Sequence, residues 1–185
     1  MSPPAAPCIL LSPVGAFDGE LLAAVGEEVR RVFGCETRTL RLLEKVGFAR
    51  DPVRGQLGST PILERLAAAC PPEALKVLAL TEEDLFIPVF TYVFGEAQLG
   101  GRAAIVSTHR LGLAPGFPVA HAALCRRLLK EAVHELGHTF GLRHCPDATC
   151  LMHYCRSPRD VDRKGGELCR YCRILLNDAL ARGSR

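Results

Sequence analysis

The chain has 185 residues, 48% of them hydrophobic and 23% charged, with a formal net charge of +3 at pH 7. That length suits one compact domain, since domains run to roughly 100–200 residues, and the balance of residues is that of a soluble globular protein. So small a positive excess is no footprint for nucleic acid, and no apolar run approaches the roughly 20 residues that cross a bilayer.

The N-terminus carries no basic stretch followed by a long apolar one, so no export signal is expected and the cytoplasm is the expected location. Ile9 to Val14 reads as a first strand, broken by Pro13. Asp18 is placed to cap a helix whose core face is Leu21, Leu22, Val25, Val29, Val32 and Phe33, and Gly34 can end it. Cys35 to Leu40 reads as a second strand. A Gly-, Pro- and Arg-rich loop follows from Arg50 to Ser59, and Thr60 with Pro61 opens the next helix by cap and first-turn chemistry.

Leu75 to Leu80 is a third strand, and alternation of this kind predicts a mostly parallel sheet with helices packed on it. Phe86 to Phe94 is apolar but contains Pro88 and has no clear period. Arg102 to Thr108, after the Leu99-Gly100-Gly101 turn, is expected to be a strand at the sheet edge. Pro118 to Leu142 is the longest helical pattern. Leu124, Leu128, Ala132, Leu136 and Phe140 form its core stripe, while His134 and His138 lie about 200° away around the axis, where they meet a cleft.

His134-Glu135-Leu136-Gly137-His138 matches the H-E-x-x-H pattern, in which two imidazoles one helical turn apart can bind one ion. Ordinary helices also carry such residues, so the continuation matters. Gly141 follows three residues after His138 and His144 three after Gly141; a glycine turn can bring a third imidazole back to the same metal. Three protein ligands leave a fourth zinc position open to water, and Glu135, beside the first ligand, is the candidate general base.

Nine cysteines is an odd count, and without export they are expected as thiols or metal ligands. Cys8, Cys35, Cys70 and Cys125 lie among apolar neighbours and read as small buried hydrophobes. Cys145 with Cys150 and Cys169 with Cys172 form two pairs suited to a second, structural zinc; disulfides or free thiols are the alternatives, and Cys155 could replace Cys150.

The residues from His134 to Cys172 resemble the archaemetzincins, a branch of the metzincin metalloproteases. The shared pattern is His134, Glu135, His138, Gly141, His144, Cys145, Cys150, Met152, Cys169 and Cys172, with the interval from Met152 to Cys169 one residue shorter than in the family. Arg54-Gly55-Gln56, Asp84-Leu85-Phe86-Ile87-Pro88 and Phe94-Gly95-Glu96-Ala97 also look like this family.

The resemblance implies one α/β (α+β) catalytic domain over residues 1–185, with a mixed twisted sheet flanked by helices. Residues 1–142 would form an upper lobe with the active-site helix, and residues 143–185 a small lower lobe holding the structural zinc. It implies a zinc metallopeptidase acting on a peptide or small protein with two zinc ions, and no nucleic-acid or membrane partner; the oligomeric state is open. Met152 would support the site from beneath, unless it is an ordinary core methionine. Tyr154 would assist the metal or the oxyanion. His109, His121 and His153 read as surface or satisfied histidines. Arg102 to Thr108 resembles the edge strand along which metzincins align a peptide. The rival functions are a peptide- or protein-binding zinc protein with little or no turnover, and a zinc-ribbon-like interaction module on Cys145 to Cys172.

Overall fold

The computed structural model of the chain describes residues 8–114 and 117–183. Its centre is a five-stranded sheet in the order β2-β1-β4-β7-β6, built from β1 (Cys8–Val14), β2 (Glu36–Thr39), β4 (Ala74–Thr81), β6 (Gly95–Ala97) and β7 (Ala103–Ser107). The first four strands run parallel and β6 pairs antiparallel with β7, so the sheet is mixed, as the family resemblance implies. Two-residue strands β3 (Leu57–Gly58) and β5 (Leu85–Phe86) pair with each other, and β8 (Leu113–Ala114) pairs with β9 (Phe117–Pro118).

The central strands are largely apolar because both faces of the sheet are covered. On one face Ile9, Leu11, Leu78, Leu80, Ala104 and Val106 pack into a core with α1 (Gly19–Phe33) and α3 (His121–Thr139). On the other, Cys8, Leu10, Val77, Ala79 and Ile105 meet Ile62, Leu63 and Leu66 of α2 (Ser59–Ala69). Successive residues thus serve opposite cores, as a pleated strand requires. The helix α1 forms as expected: Asp18 Oδ1 accepts from the amides of Glu20 and Leu21, and Gly34 closes it at φ 66°.

Four expectations are corrected. The strand within Arg102–Thr108 is interior, flanked by β4 and β6, and the edge belongs to the short β6. A three-residue Gly-Glu-Ala strand has too little β-propensity to announce itself. The cap of α2 is Gly58 and not Thr60, whose hydroxyl instead donates to Glu96. The long helix begins at His121, because Pro118 pairs with Leu113, and it ends at Thr139 with Phe140 as its cap. Within the loop read from Arg50 to Ser59, Leu57 and Gly58 are strand residues.

Beyond α3 the chain forms α4 (Pro158–Arg163) and α5 (Arg170–Gly183). The α4 end is clamped to α3 by the Arg127 guanidinium, which donates to both oxygens of Asp162 at 2.8 and 2.7 Å. Lys130 Nζ adds bonds to the carbonyls of Val161 and Lys164. Among the described residues no helix is long and apolar enough to cross a membrane.

Candidate active site

His134 and His138 project from the same face of α3 into a cleft beside β6. Gly141, at φ 88°, turns the chain so that His144 returns to them, with ring centroids 5.3 Å from His134 and 4.9 Å from His138. The second nitrogen of each helical imidazole is committed: His134 Nδ1 lies 3.1 Å from the Leu151 carbonyl and His138 Nδ1 lies 2.7 Å from that of Leu142. A carbonyl only accepts, so these contacts fit a proton on each Nδ1 and a bare, accepting Nε2; at His134 the Lys164 ammonium also lies 3.4 Å from Nδ1. Those two acceptors face each other at 3.1 Å. Nitrogens bonded to one tetrahedral zinc would lie about 3.4 Å apart, so a cation is what this arrangement fits.

Burial lowers the pKa of His134 and His138, which keeps them neutral and able to bind metal. Met152, fully buried, lies under this turn of the helix: a Cβ on Gly137 would come 2.7 Å from its sulfur. Its carbonyl accepts from the amide of Cys145, tying the loop after His144 to the helix floor.

Glu135 points into the cleft, where its carboxylate makes no hydrogen bond among the described residues. Burial first, and the neighbouring Glu131 second, push its pKa well up. The cavity here measures about 520 Å³ and is walled on its apolar side by Ile87, Phe90, Tyr92 and Phe94. Gln56 shapes that wall by donating to Asp84 and to the Thr91 carbonyl, and Arg54 covers the Phe86 ring at 4.4 Å. The upstream segments that resemble the family therefore meet at the cleft.

β6 runs past the mouth with a strand partner on one side alone. At Gly95 a Cβ would lie 2.5 Å from the Ile105 carbonyl and 2.7 Å from Glu135 Cγ, so only hydrogen leaves room for the carboxylate. Gly95→Ala is expected to displace both and to lower kcat by about 10²-fold with metal content unchanged, measured by turnover beside elemental analysis.

The sulfurs of Cys145, Cys150, Cys169 and Cys172 all lie within 4.8 Å of one another. The Cys145 and Cys169 sulfurs are 3.9 Å apart, near the separation of about 3.8 Å for thiolates sharing a tetrahedral zinc. Cys150 Sγ accepts from the Cys169 amide, and the Cys172 amide lowers the pKa of Cys169, whereas burial raises those of Cys145 and Cys172. Cys155 stands outside the cluster in the wall of the cleft, so it does not replace Cys150.

The model of peptidase family M54 matches residues 73–178, which contain all three histidines and all four clustered cysteines. The chain belongs to peptidase family M54. An archaemetzincin from Methanocaldococcus jannaschii is 38% identical over 179 residues, covering 92% of this chain and 93% of that protein. The crystal structure of archaemetzincin from Methanopyrus kandleri superposes with a TM-score of 0.82 at 35% identity, covering 98% of this chain and all of that one. A structure described as a zinc-dependent peptidase from Methanocorpusculum labreanum gives 0.80 at 30% identity, over 91% of this chain and 100% of that one.

As a member of the archaemetzincin family the chain is a zinc metallopeptidase, and peptides are its substrates. Of the remaining histidines, His153 bonds the Cys145 carbonyl through Nδ1 and His121 lies 3.6 Å from Asp18, while His109 is exposed. Two buried groups beside the site escaped the sequence reading. Glu131 shares a face of the archaemetzincin helix with Glu135, four residues on, and that spacing could have revealed it. Lys164, which lies 2.7 Å from Glu131 in a buried ion pair, has no sequence signal at all.

Proposed function

We propose that His134, His138 and His144 hold a catalytic zinc, that Glu135 is the general base, and that Cys145, Cys150, Cys169 and Cys172 hold a second, structural zinc. The observation that carries this is the convergence of three imidazoles, with the His134 and His138 Nε2 atoms 3.1 Å apart and each Nδ1 of that pair against a backbone carbonyl. When bound, zinc supplies a Lewis acid for a peptide carbonyl and makes water more acidic. Glu135 takes the proton of the attacking water and returns it to the departing amine nitrogen, a role suited to a carboxylate with no other partner in the cleft. The free side of β6 offers backbone donors and acceptors to an extended substrate.

In this reading residues 1–142 form the upper lobe of one catalytic domain and residues 143–185 the lower lobe, with the cleft between them. A cytoplasmic setting agrees with nine cysteines of which none forms a disulfide. The test is metal removal. Protein as purified should contain two zinc per chain and digest a peptide library; chelation should abolish digestion, and added zinc should restore it. Digestion that persists without zinc would overturn the assignment.

Tyr154 stands at the rim, its ring centroid 4.9 Å from that of His144, and it lines the same cavity. Its hydroxyl can donate to the carbonyl oxygen as charge builds there. Tyr154→Phe is expected to lower kcat by about 10²-fold with zinc content unchanged, and an unaltered rate would remove the role.

A further inference from the structure

A second cavity of about 300 Å³ adjoins the first, with Tyr154 and Arg156 forming the wall between them. His153, Asp160, Arg163 and Lys164 complete its charged and polar lining. Not all of these are available to a ligand. The Lys164 ammonium is turned inward to Glu131, and Asp160 Oδ2 is occupied by the Ser157 hydroxyl and the amides of Arg156 and Ser157. The guanidinium groups of Arg156 and Arg163 have no ion-pair or hydrogen-bond partner among the described residues. Both side chains are exposed, and the Arg156 guanidinium lies over the Tyr154 ring, 5.8 Å from its centroid.

Two unpaired guanidinium groups therefore flank a pocket that opens beside the peptide cleft. Guanidinium binds carboxylate through parallel N–H donors more strongly than a neutral partner can. Tyr154 and Arg156 line both cavities, and an extended peptide advances about 3.3 Å per residue. A carboxylate one or two residues from the side chain lodged in the catalytic cavity can thus reach the second cavity.

We propose that this cavity is a carboxylate subsite, in which Arg156 and Arg163 take the negative group of a peptide substrate one or two residues from the scissile bond. The inference rests on the peptidase reading and adds a substrate class to it: peptides with an apolar residue against Phe90, Tyr92 and Phe94 and a nearby carboxylate. That carboxylate is either the C-terminus of a short peptide or an Asp or Glu side chain.

The test measures binding by calorimetry to zinc-loaded Glu135→Gln protein, with cleavage by the wild type read separately. The probes are alanine hexapeptides containing one phenylalanine, made with a free or amidated C-terminus and with Glu or Gln at each position flanking the phenylalanine. The free acid, or the Glu form at one or two positions, is expected to bind about tenfold tighter than its neutral counterpart. The preference should shrink with salt, and the added Arg163→Glu change should abolish or reverse it. The comparison of acid and neutral peptides needs no arginine variant, so it stands even where that variant folds poorly. Equal binding of all forms, or a preference that survives Arg163→Glu, would overturn the subsite. Acid-selective binding without cleavage would leave the subsite standing and sink the peptidase reading; cleavage without selectivity would do the reverse.

Discussion

Glu135→Gln is expected to lower kcat by a factor of about 10²–10⁴, the usual contribution of a positioned general base, while zinc content and KM stay near those of the wild type. The exchange keeps the shape of a side chain that packs against Gly95 and lines the cleft, and removes only its ability to take a proton. No described residue hydrogen-bonds that carboxylate, so losing its charge leaves no donor stranded. The neighbouring Glu131 sits in a buried ion pair, its Oε1 2.7 Å from the Lys164 ammonium, which disfavours its taking the proton instead. Steady-state kinetics beside elemental analysis decide the matter; turnover within a few-fold of wild type would show that another group moves the proton.

Cys169→Ser should have the largest effect on stability. One zinc per chain is expected to be lost, together with more than about 4 kcal/mol of folding free energy, the scale associated with loss of a structural metal. The four sulfurs join the loop holding Cys145 and Cys150 to the start of α5, where Cys172 lies. The lower part of the chain keeps other ties, since Val161 and Leu176 are buried in the main core and Arg127 and Lys130 hold the end of α4, but Tyr171 and Ile174 of α5 are exposed. Because Cys145 directly follows His144, the damage should spread to the catalytic histidines and reduce cleavage as well. Thermal unfolding with zinc analysis tests this, and retention of two zinc ions with an unchanged melting temperature would refute the assignment of the cluster.

The metal-binding pattern was legible because its parts are local. Residues four apart on a helix share a face whatever surrounds them, which aligned His134 with His138. A glycine three residues later permits the turn that His144 needs, and the close cysteine pairs carry their own spacing. The same holds for α1, where Asp18 and Gly34 mark the ends and a 3.6-residue period marks the buried face. The alternation of strands and helices likewise disclosed a largely parallel sheet.

What lay beyond reading depends on residues far apart in the chain. One edge of the sheet is β6, three residues long, and only pairing with β7 makes it a strand, so the edge position expected for Arg102–Thr108 falls to β6 instead. Gly95 must be glycine because Ile105 and Glu135 close on it from two other elements. The hydroxyl of Thr60 serves Glu96, 36 residues away, and Lys164 crosses from the end of α4 to meet Glu131. The chain's own order thus determined the spacing of the proposed ligands, which helix period and turn geometry set. Only the folded structure decided the cleft, since its walls are contacts between distant segments and such contacts leave no periodic trace in either partner.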